Sequence, residues 1–258
     1  MTARITSGQK NQAKKLVEDA LTALNPTKEG MQRVLGSKSF QARFKQLVIE
    51  LAVEFYILLS DDEAIAWIVE WAKKPEAEAR QIVSGFRRKA RAVGVADTVK
   101  IHAEVQPNYL FKQDMPQLGP CWEDFQYLQD WNFPDPPTEH AFVSWIPAPL
   151  AGSTGKNVSE QTAMVTAFKT EAGLPVWYEV SFGTVNHIAG LALAHFNATG
   201  QDPFDGLIVR TDTCVSDGGR LELSWDEGRL HCGYWDWVEY RSPRLAVFAL
   251  GVVKALGR

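Results

Sequence analysis

Between Arg220 and Trp237 the chain alternates in a way that one strand pairing satisfies best. Asp226-Glu227-Gly228-Arg229 is a turn signal. With Glu227 and Gly228 at the tip, Trp225 faces Leu230, Leu223 faces Cys232 and Leu221 faces Tyr234. All six then share one face, and a slip of one residue scatters them over both. Glu227 is a weak residue for a primed turn, so a bulged loop is the alternative. The matched register predicts an apolar sheet face. It assigns Arg220, Glu222, Ser224, His231 and Trp235 to the opposite one.

The flanking sequence supplies partners for that hairpin. Ala141 to Ile146 reads as a strand closed by Pro147 and Pro149. Pro175 to Phe182 and Leu207 to Thr213 read as two more. Asn157-Val158-Ser159-Glu160 has the form of a capping box, with Ala163, Met164, Ala167 and Phe168 on one helical face beyond it. Thr184 to Ala198 is a second helix, ended by Gly200. Arg244 to Val252 is almost continuously apolar. Ser242-Pro243 suits a helix start, but the Val and Phe content favours a buried strand. A mainly antiparallel sheet with two helices follows for residues 141–258.

The first part of the chain follows a different period. Ala13, Leu16, Val17, Ala20, Leu21 and Leu24 recur at helical steps, as do Phe40, Phe44, Leu47, Val48, Leu51, Phe55 and Leu58. Ser60-Asp61-Asp62-Glu63 is another capping box, opening a helix that carries Ile65, Trp67, Ile68 and Trp71. Pro75 starts one more, with a stripe from Ala79 to Val93. Four or five short-looped helices give a bundle over residues 1–97. The expected class is α+β: an N-terminal helical bundle followed by the antiparallel sheet.

Residues 98–140 join the two. Prolines 107, 116, 120, 134, 136 and 137 deny this segment long helices and central strands. It also carries Tyr109, Phe111, Trp122, Phe125, Tyr127, Trp131 and Phe133, too much ring area for a solvated linker. It is expected to wrap a hydrophobic surface, with one short helix near Trp122 to Gln129; a functional loop or lid is the alternative.

Charge divides along the same line. Residues 1–97 carry 16 Lys/Arg and 12 Asp/Glu, against 11 and 19 in residues 98–258, which also hold 7 of the 9 tryptophans. Arg80, Arg87, Arg88, Lys89 and Arg91 form one basic helix end. It is a candidate polyanion footprint, but cations there also complement the helix dipole, and no nucleic-acid signature accompanies them. The first twelve residues lack the apolar core of a secretory signal. The apolar stretch from Leu47 to Leu59 carries Glu50 and Glu54 and is too short to cross a bilayer. Three cysteines without a CxxC pair fit a reducing cytoplasm.

Few residues point to chemistry. Gly152 to Asn157 fails the phosphate-loop spacing, because Leu150 stands where the first glycine belongs and Asn157 follows Lys156. His187 and His195 are eight apart rather than four, so no metal site is expected. Asn186 and His187 form a polar patch at a helix start. His231 shares a predicted face with Glu222 and Ser224, where an acid, a hydroxyl and an imidazole could meet. Trp235 and Trp237, flanked by acids and near Arg220, suit recognition of a peptide, a basic protein surface or a sugar; the alternative is that a neighbouring helix or the aromatic segment covers them. The sequence names no cofactor and no small-molecule signature. The expected function is a cytoplasmic, macromolecule-binding protein with an acidic, Trp-rich α+β domain. The alternative is a hydrolase or transferase using His187 or His231 as acid/base.

Overall fold

A computed structural model describes residues 56–256, apart from 217, 237 and 238 and the side chains of 234–236. The chain divides between residues 48 and 49 into two units, and the described residues belong to the second. The helices expected before residue 55 lie outside them.

The class is α+β, and the strands form two sheets rather than one. Five antiparallel strands make the larger, in the order β1 (Tyr56–Leu59), β2 (His102–Val105), β3 (Ala141–Ser144), β9 (Leu250–Lys254), β4 (Glu179–Ser181). The smaller runs β7 (Arg229–Asp236), β6 (Arg220–Asp226), β5 (Ile208–Cys214), β8 (Leu245–Ala246), with only the last pairing parallel. The apolar run after Arg244 therefore serves both sheets. Leu245 and Ala246 join the smaller one, and after a break at 247–249 Leu250 onward enters the larger.

The hairpin keeps the predicted register: Leu221 opposite Tyr234, Leu223 opposite Cys232, Trp225 opposite Leu230. Its turn is the two-residue form, with Glu227 at φ 46° and Gly228 at φ 75°. A glutamate takes the left-handed position because the strand register on either side allows no extra residue.

Each face of the larger sheet is buried. On one side Phe142, Tyr178 and Val253 meet α1 (Asp61–Trp71) and α2 (Glu76–Ala92). Ser60 caps α1 through both arms of the box, as Asn157 does for α4 (Val158–Glu171). On the other side Ala103, Val105 and Val143 share a core with Val209, Leu221, Leu223 and Cys232 of the smaller sheet. Between the sheets lies α5 (Val185–Thr199), with nine residues buried from Val185 to His195. Its near-complete apolarity is what burial on two sides requires.

Two elements depart from the sequence pattern. Tyr56–Leu59 continues an apparent helical stripe but forms strand β1, because its four residues find a ladder on β2. β2 itself was not foreseen, and neither was α3 (Phe111–Leu118), which accommodates Pro116.

The basic end of α2 is compensated within the fold. Arg80 pairs with Glu76, Arg87 with Asp61, Lys89 with Glu171 and Arg91 with Asp97. Arg88 donates to the carbonyls of Glu171 and Ala172, the negative end of α4. The helices touch closely enough that a Cβ on Gly85 would stand 2.5 Å from the Ala172 oxygen.

Candidate functional site

The segment after α3 turns back along β7, the free edge of the smaller sheet. The Pro120 carbonyl accepts from Leu230 N–H at 2.9 Å, and Cys121 bridges to Leu230 in parallel. A distorted 3-10 helix follows from Trp122 to Asp130, in which Glu123, Asp124 and Phe125 all take left-handed φ of 47°, 47° and 58°. Such a conformation costs roughly 1–2 kcal/mol per residue without glycine. It drives Phe125 into the core against Phe111, at 5.0 Å between centroids, and leaves Glu123 and Asp124 exposed.

Tyr127 then clips the edge. Its hydroxyl donates to Cys232 O at 2.9 Å and accepts from Cys232 N–H at 3.0 Å. One side chain thus satisfies both backbone groups that an edge strand would offer to another chain. Burial raises the phenol well above its ordinary range, so it stays protonated for this dual role. Tyr127→Phe removes both bonds. It should cost about 1–2 kcal/mol, from the two backbone groups left without that partner. Urea denaturation checks this, and an unchanged midpoint would show that the hydroxyl does not hold the edge.

Above the clip runs a row of half-buried rings. Tyr127 stacks on His231 at 5.6 Å and 14°, and Trp131 meets Tyr127 edge-on at 5.7 Å. Trp122 meets His231 edge-on at 6.4 Å, and the Arg229 guanidinium lies 5.6 Å from the Trp122 centroid. Burial lowers the His231 pKa against the opposing pull of Asp226, which favours the neutral ring in the stack.

The residues singled out from sequence divide around this row. His231 lies in it, and Ser224 is its cross-strand partner, yet no hydrogen bond joins His231 to Ser224 or Glu222 among the described residues. Glu222 is buried opposite Arg210. Arg220 turns to Asp212 at 3.2 Å. Arg210, fully buried, bonds Gln161 and the Tyr240 carbonyl. The side chains of Trp235 and Trp237 lie outside the described residues. Arg87 and Arg88 are on the far layer, held as described above.

His187 and Asn186 diverge. Asn186 is buried, donates to Pro136 O at 3.3 Å, and its backbone carbonyl accepts from the Tyr56 hydroxyl. The His187 ring lies 3.1 Å from the Thr184 hydroxyl, which is the helix cap and already accepts from His187 N–H. Burial and then Lys254 lower its pKa to about 4, with Glu139 opposing. Among the described residues no acid is within hydrogen-bond reach to pair with it as a general base.

A third constellation escaped the sequence reading. His102 Nδ1 lies 2.9 Å from Ser144 Oγ, and its Nε2 is 3.8 Å from Asp61 Oδ1, which Arg87 holds in turn. Serine, histidine and aspartate are present, but Ser144 and His102 are fully enclosed. The two face each other across β2 and β3, forty-two residues apart, so no local motif announces them. The ring rows of the candidate site were missed for a similar reason. Trp122, Tyr127 and Trp131 are legible as wrapping rings, while their alignment on His231 exists only after the segment folds over β7.

No family model matches the chain, and no curated protein or solved structure does either. Function therefore rests on the geometry. Among the described residues no group of His, Cys, Asp or Glu could hold a metal ion, and no helix is long and apolar enough to cross a membrane. A groove of about 310 Å³ opens between α2 and α4, lined by Val93, Leu150, Met164 and Phe168, with the Lys89–Glu171 pair at its rim. It offers little polar chemistry. The ring row combines aromatic surface, exposed carboxylates and a costly backbone turn, and is the better candidate.

Proposed function

We propose that this chain is a macromolecule-binding protein, holding a polypeptide partner across Trp122, Tyr127, Trp131 and His231. The observation that carries the reading is the left-handed turn at Glu123–Phe125, which lies between Trp122 and Tyr127 in the chain and sets Phe125 edge-on to Tyr127 at 6.3 Å. Three consecutive non-glycine residues in that region are a local cost, and such strain gathers at ligand clamps. Rings with one wet side and a buried body are also the usual anchors of interfaces. The three cysteines are free thiols, which agrees with a reducing cytoplasm as the setting. A hydrolase or transferase built on His187 or His231 draws less support, since among the described residues neither imidazole has an acid within hydrogen-bond distance.

The test is affinity capture with the full chain, beside a Trp122→Ala, Trp131→Ala double variant. A partner recovered with the parent should bind the double variant at least about tenfold more weakly, the loss of two modest anchors. Circular dichroism must show the variant folded. Equal affinity for both proteins, or no partner retained by the parent, overturns the reading.

A further inference from the structure

The charge around the ring row narrows the partner. Glu123, Asp124 and Asp130 are exposed on the turn, and Asp226 and Glu227 are exposed at the adjacent hairpin tip. Against these five carboxylates stand two cations: Lys112, held by the Trp131 carbonyl at 2.7 Å and over the Phe133 ring, and Arg229, whose position is informative. Arg229 lies opposite Asp226 in the ladder, yet its guanidinium rests 5.6 Å from the centre of the Trp122 ring and makes no ion pair among the described residues. The face of Trp122 thus already receives a guanidinium, a contact that an aromatic ring favours.

The same preference extends to an incoming chain. An aromatic face carries negative quadrupole density, and a cation above it is attracted most when its hydration is weak, as for guanidinium. Carboxylates on both flanks add a field that gathers cations and repels polyanions. An apolar segment would have to strip water from five acids and gain nothing from them. We propose that the ring row binds an arginine-rich polypeptide segment, its guanidinium groups lying on Trp122 and the His231–Tyr127 stack and pairing with Glu123, Asp124 and Asp226. This rests on the reading of the row as a binding surface and names the chemistry of what it binds.

Four probes separate the possibilities with the full-length chain: octa-arginine, octa-lysine, octa-glutamate and the neutral sugar chitohexaose. Binding is followed by tryptophan fluorescence and by calorimetry at two ionic strengths. Octa-arginine should bind, weakening at higher salt, and octa-lysine should bind about threefold less tightly. Octa-glutamate and the sugar should not bind. Trp122→Ala should weaken octa-arginine about threefold. The pair Glu123→Asn and Asp124→Asn should weaken it further and flatten the salt dependence. Asparagine suits the left-handed backbone at both positions, so this variant keeps the turn. Val93→Ser, in the groove between α2 and α4, should change nothing.

Octa-arginine binding that is the same in parent, Trp122→Ala and the asparagine variant overturns the proposal, because the site is then elsewhere. No octa-arginine binding at all also overturns it. Chitohexaose binding that depends on Trp122, without octa-arginine binding, overturns the cationic partner while leaving the ring row as a binding surface. An unchanged partner affinity in the Trp122→Ala, Trp131→Ala variant instead removes the underlying reading, whichever probe binds.

Discussion

Gly190→Ala should destabilise the protein by about 3 kcal/mol, at the upper end of the usual cost of overpacking. A Cβ at Gly190 would stand within 2.5 Å of three atoms of the Tyr56 ring. Helix propensity works the other way, favouring alanine by about 1 kcal/mol. Overpacking wins because the obstacle is a ring with nowhere to go. Tyr56 is 1% exposed, its hydroxyl donates to Asn186 O at 2.7 Å on the same helix, and β1 is held to β2 over four residues. Urea midpoints of Gly190→Ala, Tyr56→Leu and the double variant check the argument. The double variant should cost less than the sum of the singles, since the smaller side chain admits the new methyl. A neutral or stabilising Gly190→Ala would mean that α5 does not press on β1.

That contact also explains what could be read from the sequence. The two capping boxes, α5 and the hairpin were legible because each is specified locally. Ser60 and Asn157 announce helix starts, and a slip in the hairpin would expose three apolar pairs at once. β1 was not legible. Tyr-Ile-Leu-Leu fits the end of an apolar helical stripe as well as it fits a short strand, and only the ladder on β2 decides. β2 was hidden because His102 and Glu104 face the α1 and α2 layer and interrupt its apolar pattern. The division into two sheets is equally non-local. It depends on a break at 247–249 within one apolar run, where each half finds a different neighbour.

The candidate site follows the same rule. His231 was found because the hairpin register put it on an outward face. Its working neighbours come from a segment about a hundred residues earlier, which the prolines marked as irregular without saying where it docks. Serine and glutamate opposite a histidine looked like acid-base chemistry in one dimension. In the fold the imidazole turns to a tyrosine ring, and Glu222 is buried in the strand beside Arg210.

Acid should destabilise this protein through its histidines, and His102 should contribute most. The ring is fully enclosed between β3, α1 and α2, with Phe86 and Phe142 against it, Ser144 on Nδ1, and Asp61 and Arg87 beyond Nε2. Burial lowers its pKa to about 3; Asp61 opposes this and Arg87 reinforces it. In the unfolded chain the same group titrates near 6.5. Below that pH the unfolded state binds a proton that the folded state refuses, so stability is complete above about 6.5 and falls with pH. One such group gives at most about 1.4 kcal/mol per pH unit, or about 3 kcal/mol between pH 6.5 and 4. His187, His195 and His231 are also shifted downward and add slopes of the same sign. Urea denaturation across this range should therefore show a steep loss in the parent. His102→Gln should start less stable at neutral pH, because the bond to Ser144 is disturbed, but lose less as pH falls, so the two curves converge. Parallel curves would mean that His102 accepts its proton without leaving the core, and that the enclosed Ser144–His102 pair is open to water after all.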